Sequence, residues 1–347
     1  MNLDRGLMQE VHASSLSSVV LIALGSEGDV LAKRLLRVLP DIHARLPIEV
    51  LPDGLLVFAA LDDSVTFPDS SGPLTDLSSV TTYPHRGFTV QVLEQGYRVR
   101  PAVLDPRQFP HSLSYRFLHP KQETWHVGDV SVPVFNPASD HLSAFAVPLF
   151  SSLERALDNY ATRQVHECRC RELQLAWRDD LRLFWNQRPE EQVRRSLEHH
   201  LVSALRAHVE VEHVVDERKE SDIWIYWAFS THAALIECKW LGRSASDPAD
   251  DGTRKSTDFT QADAVAGLGQ LADYLDRQRP RADGRSVRGH LVVIDGRRRG
   301  LTDPDQTTTV EQEDLLHYEY RDIEWPAHLV ARTDMAAPRR MFCRPKL

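Results

Sequence analysis

The sequence predicts an α/β protein in two parts: a C-terminal mixed sheet flanked by helices, and a separate β-rich α+β domain before it, joined by a long helix. Thirteen of the 20 prolines lie in residues 1–148, where short strand-like runs alternate with turn clusters. Apolar residues at helical spacings follow, and strand-like and helical segments then alternate to the end. We therefore divide the chain into a domain at 1–148, a helical linker at 149–188 and a second domain at 189–347.

Composition sets limits on the function. A chain of 347 residues with 42% hydrophobic residues can supply two ordinary cores. The longest apolar runs, such as 19–24, fall far short of the ~20 residues of a membrane helix, and no signal segment opens the chain. We therefore expect a cytoplasmic protein without a membrane partner. The net charge of −9 argues against a nucleic-acid binder that uses its whole surface, but it allows a local basic groove.

The first domain is predicted to begin with a β-turn-α unit. Residues 17–24 are expected to form a strand, 25–28 a turn, and 29–39 a helix that ends near Pro40. Further strands are predicted at 54–61, 88–93, 97–104, 113–118 and 130–135. The pattern names no ligand. Recognition, regulation, a homodimer contact and binding of a partner protein all stay open for this domain.

A helix in the second domain is predicted to begin at Pro189, because the missing N–H of proline costs nothing in a first turn. Its core stripe includes Val193 and Leu197, and Glu190 falls on the same stripe. A carboxylate on the inward face of a helix is unusual. Glu190 rather than Glu191 is therefore the candidate for a site, and a first-turn glutamate favoured by the helix dipole is the alternative.

Two apolar runs, 223–229 and 233–240, are separated by a short polar break and predict a buried hairpin. Alternation along the second strand puts Glu237 and Lys239 on one face and Cys238 on the other. A three-residue loop sets Asp222 roughly opposite the end of that strand, at Trp240. Buried charges are costly unless they are paired or hold a metal, so these residues predict a divalent-cation site. A salt bridge at the strand end is the alternative.

Two further features point to a substrate. A helix predicted at 258–277 carries Gln270 and Tyr274 one turn apart, so their side chains project together. The segment 277–299 then holds eight arginines against two aspartates, which suits phosphate contacts. The candidates in this segment are Arg297, Arg298 and Arg299. A solvated surface is the alternative for this cluster.

The order of these residues along the chain resembles the PD-(D/E)xK nuclease superfamily, which has the restriction-endonuclease-like fold. The resemblance covers roughly residues 189–300 and says nothing about 1–148. One departure is that Ser221, not proline, precedes Asp222. The residues that carry the resemblance are Glu190 on the first helix, Asp222 opening the second strand, Glu237-Cys238-Lys239 closing the third, and Gln270 and Tyr274 on the following helix.

The resemblance implies a Mg²⁺- or Mn²⁺-dependent nuclease that cleaves DNA, in the manner of restriction and phage-defence enzymes. Its metal ligands would be Asp222, Glu237, the Cys238 carbonyl and Glu190, which offer the hard oxygens that these ions prefer. Lys239 would hold the nucleophile and offset developing negative charge. Catalysis is thus assigned to Asp222, Glu237, Lys239 and Gln270, and substrate orientation to Gln270 and Tyr274.

Two other functions stay open at this point. A non-catalytic member of the fold would serve as a binding or scaffolding subunit. A ribonuclease would use the same residues, and nothing in the sequence separates it from a deoxyribonuclease.

Overall fold

The computed structural model describes residues 5–80, 82, 85–119, 122–134, 143–216, 219–228, 230–246, 256–278, 286–301 and 310–346, with side chains for all of these except 5–19 and 212–221. The protein is mixed α/β, as predicted, with two mixed sheets flanked by helices. Contacts define two compact units. The first contains Met1–Leu149 and Phe229–Thr231, and the second contains Phe150–Ala228 and His232–Leu347.

The first unit is a six-stranded sheet with a long helix packed on one face. Its elements are α1 (Arg5–Arg45), β1 (Gly54–Ala60), β2 (Gly87–Val92), β3 (Tyr97–Arg100), β4 (Ser112–Leu118), β5 (Gln122–Val127) and β6 (Val130–Pro133). The strand order is β3-β2-β1-β4-β5-β6, in which only the β1–β2 pair is parallel. Leu35 and Ile42 of α1 share a core with Val57 and Tyr115 of the sheet.

The start of this unit differs from the prediction. Residues 17–24, predicted as a strand, lie inside α1, and the helix continues past Pro40 to Arg45. A short apolar run cannot be told from a buried helix by periodicity alone. The predicted turn survives as a break at Gly25 (φ 64°, ψ −155°), which separates two helical segments. Burial of Ile42 and His43 holds the turn that follows the proline against the core.

The second unit is built around another six-stranded sheet. Its elements are α2 (Phe150–Tyr160), α3 (Arg171–Leu175), α4 (Glu190–Ala204), β7 (His208–Asp216), β8 (Lys219–Tyr226), β9 (His232–Ala245), β10 (Ser256–Phe259), α5 (Gln261–Gln278), β11 (Ser286–Asp295), α6 (Gln312–Leu315), α7 (Ala327–Val330) and β12 (Arg339–Phe342). The order is β12-β11-β9-β8-β7, and β10 also pairs with β9. The pairs among β12, β11 and β9 are parallel, and those among β9, β8 and β7 are antiparallel.

The prediction of one long helix across 149–188 is wrong. The helix α2 ends at Tyr160, a π-helical turn follows at Ala161–Val165, and α3 has only five residues. Cys168 and Arg182 have φ angles of 51° and 62°, which a helix does not tolerate. Apolar spacing continued across these breaks because the short pieces bury their side chains separately. None of the helices within the described ranges is long and apolar enough to cross a membrane.

The helix α5 packs on one face of this sheet. Leu268 and Leu271 share a core with Leu235 of β9 and Leu291 of β11. Leu235, Glu237 and Lys239 are two residues apart along β9, so all three point to the α5 face. Glu237 and Lys239 therefore extend the row of side chains on this face of β9, and Leu235 of the apolar core is the preceding member of that row.

Candidate functional site

The site lies where β8 and β9 separate. Their last paired residues are Ile223 and Ile236, and β10 begins to pair with β9 only at Gly242. On its other edge β9 is bonded without interruption to β11 from His232 to Leu241. Beyond Leu241, Trp185 pairs with the same edge of β9: its N–H donates to the Arg243 carbonyl and its carbonyl accepts from the Ala245 N–H.

It follows that β8 and β10 occupy the same edge of β9, one at each end. Within the described pairings, residues 237–241 have neither strand beside them on that edge. We call this stretch the gap. The Asp222 carboxylate accepts a hydrogen bond of 2.7 Å from the Cys238 N–H there. The N–H and C=O of one extended residue point to the same edge, so the Cys238 carbonyl also faces the gap.

The register of the hairpin differs from the prediction by three residues. Ile223 pairs with Ile236, so Asp222 is in line with Glu237 rather than with Trp240. The reason is the loop, since β8 ends at Tyr226 and Trp227 is buried outside the ladder. The shift also places Asp222 on the face of Glu237, because directly opposed residues of antiparallel strands share a face.

Glu237 and Lys239 lie side by side, and the prediction that they share a face is confirmed. The Lys239 Nζ is 2.6 Å from the Glu237 Oε1. Only 3% of the Glu237 side chain is exposed, against 27% of Lys239. The carboxylate is therefore the recessed partner, and the ammonium is the one that reaches outward.

The pKa values reflect this burial. Burial raises the pKa of the Glu237 carboxyl to about 7, repulsion from Asp222 adds to the shift, and Lys239 opposes it. Burial also raises the pKa of Asp222, although the Cys238 N–H and Lys239 lower it. For Lys239, burial alone would lower the pKa, but attraction to Glu237 and their hydrogen bond raise it above its ordinary value. Negative charge at this site is under-compensated by the protein's own groups.

A chain of contacts ties Lys239 to α5. Lys239 Nζ donates to the Gln270 Oε1 at 3.3 Å, and the Gln270 amide donates to the Tyr274 hydroxyl. Tyr274 is 2% exposed. Gln270 thus contacts the Lys239 ammonium. Tyr274, predicted to orient a substrate, does not line the cavity described below and instead fixes Gln270 from behind. A Cβ on Gly267 would lie 2.6 Å from the Lys239 Cγ, so a glycine is needed for the lysine side chain to cross the helix.

The other wall of the site comes from α4 and β10. Trp240 Nε1 donates to the Glu190 Oε1 at 3.4 Å. Glu191, one residue on, is paired instead with Arg195 at 2.6 Å. The centroids of the Trp240 and Phe259 rings are 3.7 Å apart. This wall therefore carries both a carboxylate and two aromatic rings.

These groups enclose a cavity of about 430 Å³. Six of the predicted site residues line it, namely Glu190, Asp222, Glu237, Cys238, Lys239 and Gln270. Glu237 and Lys239 come from one face of β9, and Cys238 and Trp240 from the other. The cavity therefore occupies the gap itself, in the place that a paired strand would fill.

The three predicted arginines do not line this cavity. Arg297 donates to both Asp295 oxygens, at 3.0 and 2.7 Å. Arg298 is 9% exposed, lies over the Trp177 and Phe342 rings, and donates to the Cys343 carbonyl at 2.7 Å. Burial lowers its pKa to about 10.

Arg299 pairs with the carboxylates of Glu313 and Asp314 and is the most exposed of the three arginines.

Seven further residues of the cavity wall were not predicted as site residues: Val193, Arg194, Trp240, Phe259, Asp263, Ala266 and Gly267. Arg194 is one turn after Glu190, so helical spacing could have found it. A glycine inside a helix is a signal for close packing, which marks Gly267. No signal marked Phe259, because its strand is short and residues 258–277 were predicted as one helix.

The donor set fits a Mg²⁺ or Mn²⁺ ion that keeps part of its water shell. No group of three or more His, Cys, Asp and Glu side chains in the described ranges is arranged to hold a metal ion. Asp222 and Glu237 supply two carboxylates, and the Cys238 carbonyl faces the same space. One or two carboxylates with water and substrate oxygens are the usual protein contribution to Mg²⁺ binding.

Comparison of the chain with protein-family models, curated proteins and solved structures finds no match in any of the three.

Proposed function

We propose that the protein is a Mg²⁺- or Mn²⁺-dependent nuclease that hydrolyses phosphodiester bonds, with DNA as the favoured substrate, and that its second unit is a member of the PD-(D/E)xK superfamily. One observation carries the proposal. Asp222, Glu237 and Lys239 meet at the point where β8 leaves β9, around a cavity that no packing requirement explains. Burying such groups is costly, and a function that uses them accounts for their retention.

The chain's own residues divide the work. Asp222, Glu237 and the Cys238 carbonyl would hold the ion, with Glu190 at the outer wall. When bound, the ion supplies positive charge that polarises a phosphate and makes water more acidic. Gln270 keeps Lys239 directed at the cavity. The Lys239 ammonium can then donate to an attacking oxygen or to a phosphate oxygen as charge develops on it.

Lysine suits this position better than arginine. Its ammonium is a compact point charge, and the methylene stem of its side chain passes over Gly267. The salt bridge between Lys239 and Glu237 alone does not explain Asp222 or Gln270. Restriction or phage defence is the biological role that we propose, with the first unit in recognition or control.

The test is cleavage by purified protein. Plasmid, linear duplex, single-stranded DNA and RNA are each incubated with Mg²⁺, Mn²⁺ or EDTA. We expect cleavage that needs the ion and that Asp222→Asn and Glu237→Ala abolish, with circular dichroism unchanged. Glu191→Gln is the matched control, because Glu191 lies beside Glu190 but is paired with Arg195. Cleavage in EDTA, or full activity of Asp222→Asn, contradicts the proposed metal-dependent site, and no cleavage of any substrate favours a scaffold.

A further inference from the structure

The carboxylates of the site lie deep in a small recess. Glu237 is 2% exposed and Asp222 is half-buried, and both line the cavity of about 430 Å³. That volume falls in the range of about 300–1,000 Å³ that holds a small-molecule ligand. A reacting phosphate must therefore enter the recess and cannot be reached by a flat contact with the outer surface.

An intact duplex does not fit this shape. A whole duplex is too large to enter a cavity of about 430 Å³, since its major groove alone is about 12 Å wide. A duplex holds its phosphates on the outside of a stiff cylinder, so it would offer one only at the mouth of the recess. A single strand carries its phosphates on a flexible chain and can thread between α4 and α5.

The walls of the recess also carry the groups that bind unpaired bases. Phe259 is half-buried beside Trp240, at the β10 end of the gap. An aromatic ring binds an unpaired base by stacking, whatever the sequence, whereas the bases of a duplex already stack on one another. Two cationic side chains, Arg194 and Lys239, line the recess together with the carboxylates of Glu190, Asp222, Glu237 and Asp263. With the proposed ion bound between the carboxylates, the two cations would face the phosphates of one backbone.

Arg297, Arg298 and Arg299, which follow β11, do not supply a track for duplex DNA. Residues 279–285 of the predicted cationic segment lie outside the described part of the chain. A duplex-binding surface typically contacts about 6–10 phosphates with lysine and arginine. Arg297 and Arg299 are each held by carboxylates, and Arg298 is buried. These three side chains are thus committed to the protein.

From the recess, its aromatic wall and its internal cations, we infer that the substrate is single-stranded nucleic acid, either an unpaired segment or a splayed end. In this complex Phe259 stacks on a base. This inference rests on the proposed function, since it names the substrate of the same site. Phe259 contacts the nucleotide and takes no part in the chemistry.

The inference is tested by fluorescence anisotropy with one labelled 12-nucleotide DNA, free and annealed to its complement, using Asp222→Asn protein in Mg²⁺ so that the probe is not consumed. An RNA of the same sequence forms a further arm. We expect the single strand to bind at least about tenfold more tightly than the duplex. We expect Phe259→Leu to weaken single-strand binding about tenfold, as for loss of one stacked base. Phe259→Tyr keeps an aromatic ring and should bind the single strand as tightly as the protein with Phe259.

Tyr320→Leu is the matched control, because Tyr320 is an aromatic residue that is 85% exposed and lies outside the cavity wall. It should change binding little. Melting curves of every variant separate loss of binding from loss of fold. Equal binding of duplex and single strand, or equal effects of Phe259→Leu and Tyr320→Leu, overturns the inference.

Cleavage assays with wild-type protein separate this inference from the proposed function. Faster cleavage of single strands than of duplex supports both. Cleavage of duplex at an equal or higher rate overturns the single-strand inference and leaves the nuclease proposal standing. No cleavage of any substrate overturns the proposed function, while a single-strand preference in the anisotropy assay would still show that the recess binds nucleic acid.

Discussion

At the scale of single residues, the buried Glu237 carboxylate lowers the free energy of unfolding of the protein. Its folded-state pKa of about 7 lies above the ordinary 4.5, so the folded protein retains a proton that the unfolded chain has lost. The free energy of unfolding therefore falls as the pH rises from 4.5 through 7. We expect Glu237→Gln to be more stable than wild type at pH 8 by on the order of 1–3 kcal/mol, and by less at pH 5.

Urea unfolding at both pH values measures this difference, with Glu191→Gln as an exposed control. A Glu237→Gln protein that is less stable than wild type at pH 8 would contradict the assignment of a buried, under-compensated carboxylate.

Lys239 separates catalysis from ion binding. If the ammonium acts on the reacting oxygens, Lys239→Ala should lower cleavage about 10²- to 10³-fold, the usual loss for one preorganised electrostatic group. Asp222 and Glu237 should still bind Mn²⁺ in a calorimetric titration. A folded Lys239→Ala protein that cleaves at the wild-type rate would end the proposed role of the lysine.

Gly267 offers a test that leaves every charged group in place. An added Cβ would lie 2.6 Å from the Lys239 Cγ and 2.7 Å from its Cε, so Gly267→Ala must displace the lysine side chain. We expect cleavage to fall at least about tenfold, as for a misplaced catalytic group. Gly269→Ala is the matched control in the same helix, because nothing lies within 4 Å of its added Cβ.

Gly269→Ala should keep full activity and gain about 0.5–1 kcal/mol of stability, since alanine replaces glycine inside a helix. Equal activity of the two alanine variants would show that the path of Lys239 over α5 is unimportant.

At the scale of elements, Arg298 and Arg299 differ in how much their side chains stabilise the folded protein. Arg298 donates to the carbonyls of Cys343 and Arg182 from a buried position. Arg298→Gln should lower the free energy of unfolding by about 2–3 kcal/mol, because carbonyls lose their donors. Arg299→Gln, next to it and more exposed, should change stability by less than about 1 kcal/mol. Thermal and urea unfolding of the two variants measure the contrast.

Elements whose signal is local were predicted well from the sequence. Alternation placed Glu237 and Lys239 on one face, and helical spacing brought Gln270 next to Tyr274. Asp222 was set in the wrong register, because the register depends on where β8 stops and Trp227 turns into the core. The partners of Arg298 are a long way from it in sequence, so no local pattern could distinguish it from Arg299.

The predictions of longer elements were wrong where tertiary packing decides the conformation. Within the early apolar run Val20 is buried in the first core and Ile22 is 87% exposed, a difference that fits a helix, because a strand would put both on one face. The strand β5, rich in polar residues, was not predicted because its partners supply the pairing. β10 forms by pairing with the end of β9, and its last two residues were predicted as helix. The gap between β8 and β10 follows from these pairings and could not be predicted without them.

At the scale of the whole molecule, buried histidines set the response to acid. His43 in the first unit and His232 and His290 in the second have pKa values lowered by burial to about 3. The unfolded chain binds protons near pH 6.5, where these folded imidazoles do not. Their stabilising contribution is therefore complete above pH 6.5 and is lost as the pH falls toward 3.

We expect the melting temperature to fall steadily between pH 6.5 and pH 4, and more steeply in Glu237→Gln, which lacks the group that titrates in the opposite sense. His290→Leu should flatten the slope, because both ring nitrogens of His290 are buried and have no hydrogen-bond partner within the part of the chain that the structure describes. A melting temperature that does not change over this range would mean that these imidazoles take up protons in the folded state.

The continuous pairing of β9 with β11 has a consequence for how the molecule can be altered. Ten successive residue pairs hold β9 in place from His232 to Leu241, so the spacing of Glu237 and Lys239 does not depend on what happens on the opposite edge. A change made in β8 or β10 would therefore leave the Glu237 carboxylate and the Lys239 ammonium at the same spacing, so either strand can be redesigned while the backbone under this pair stays fixed.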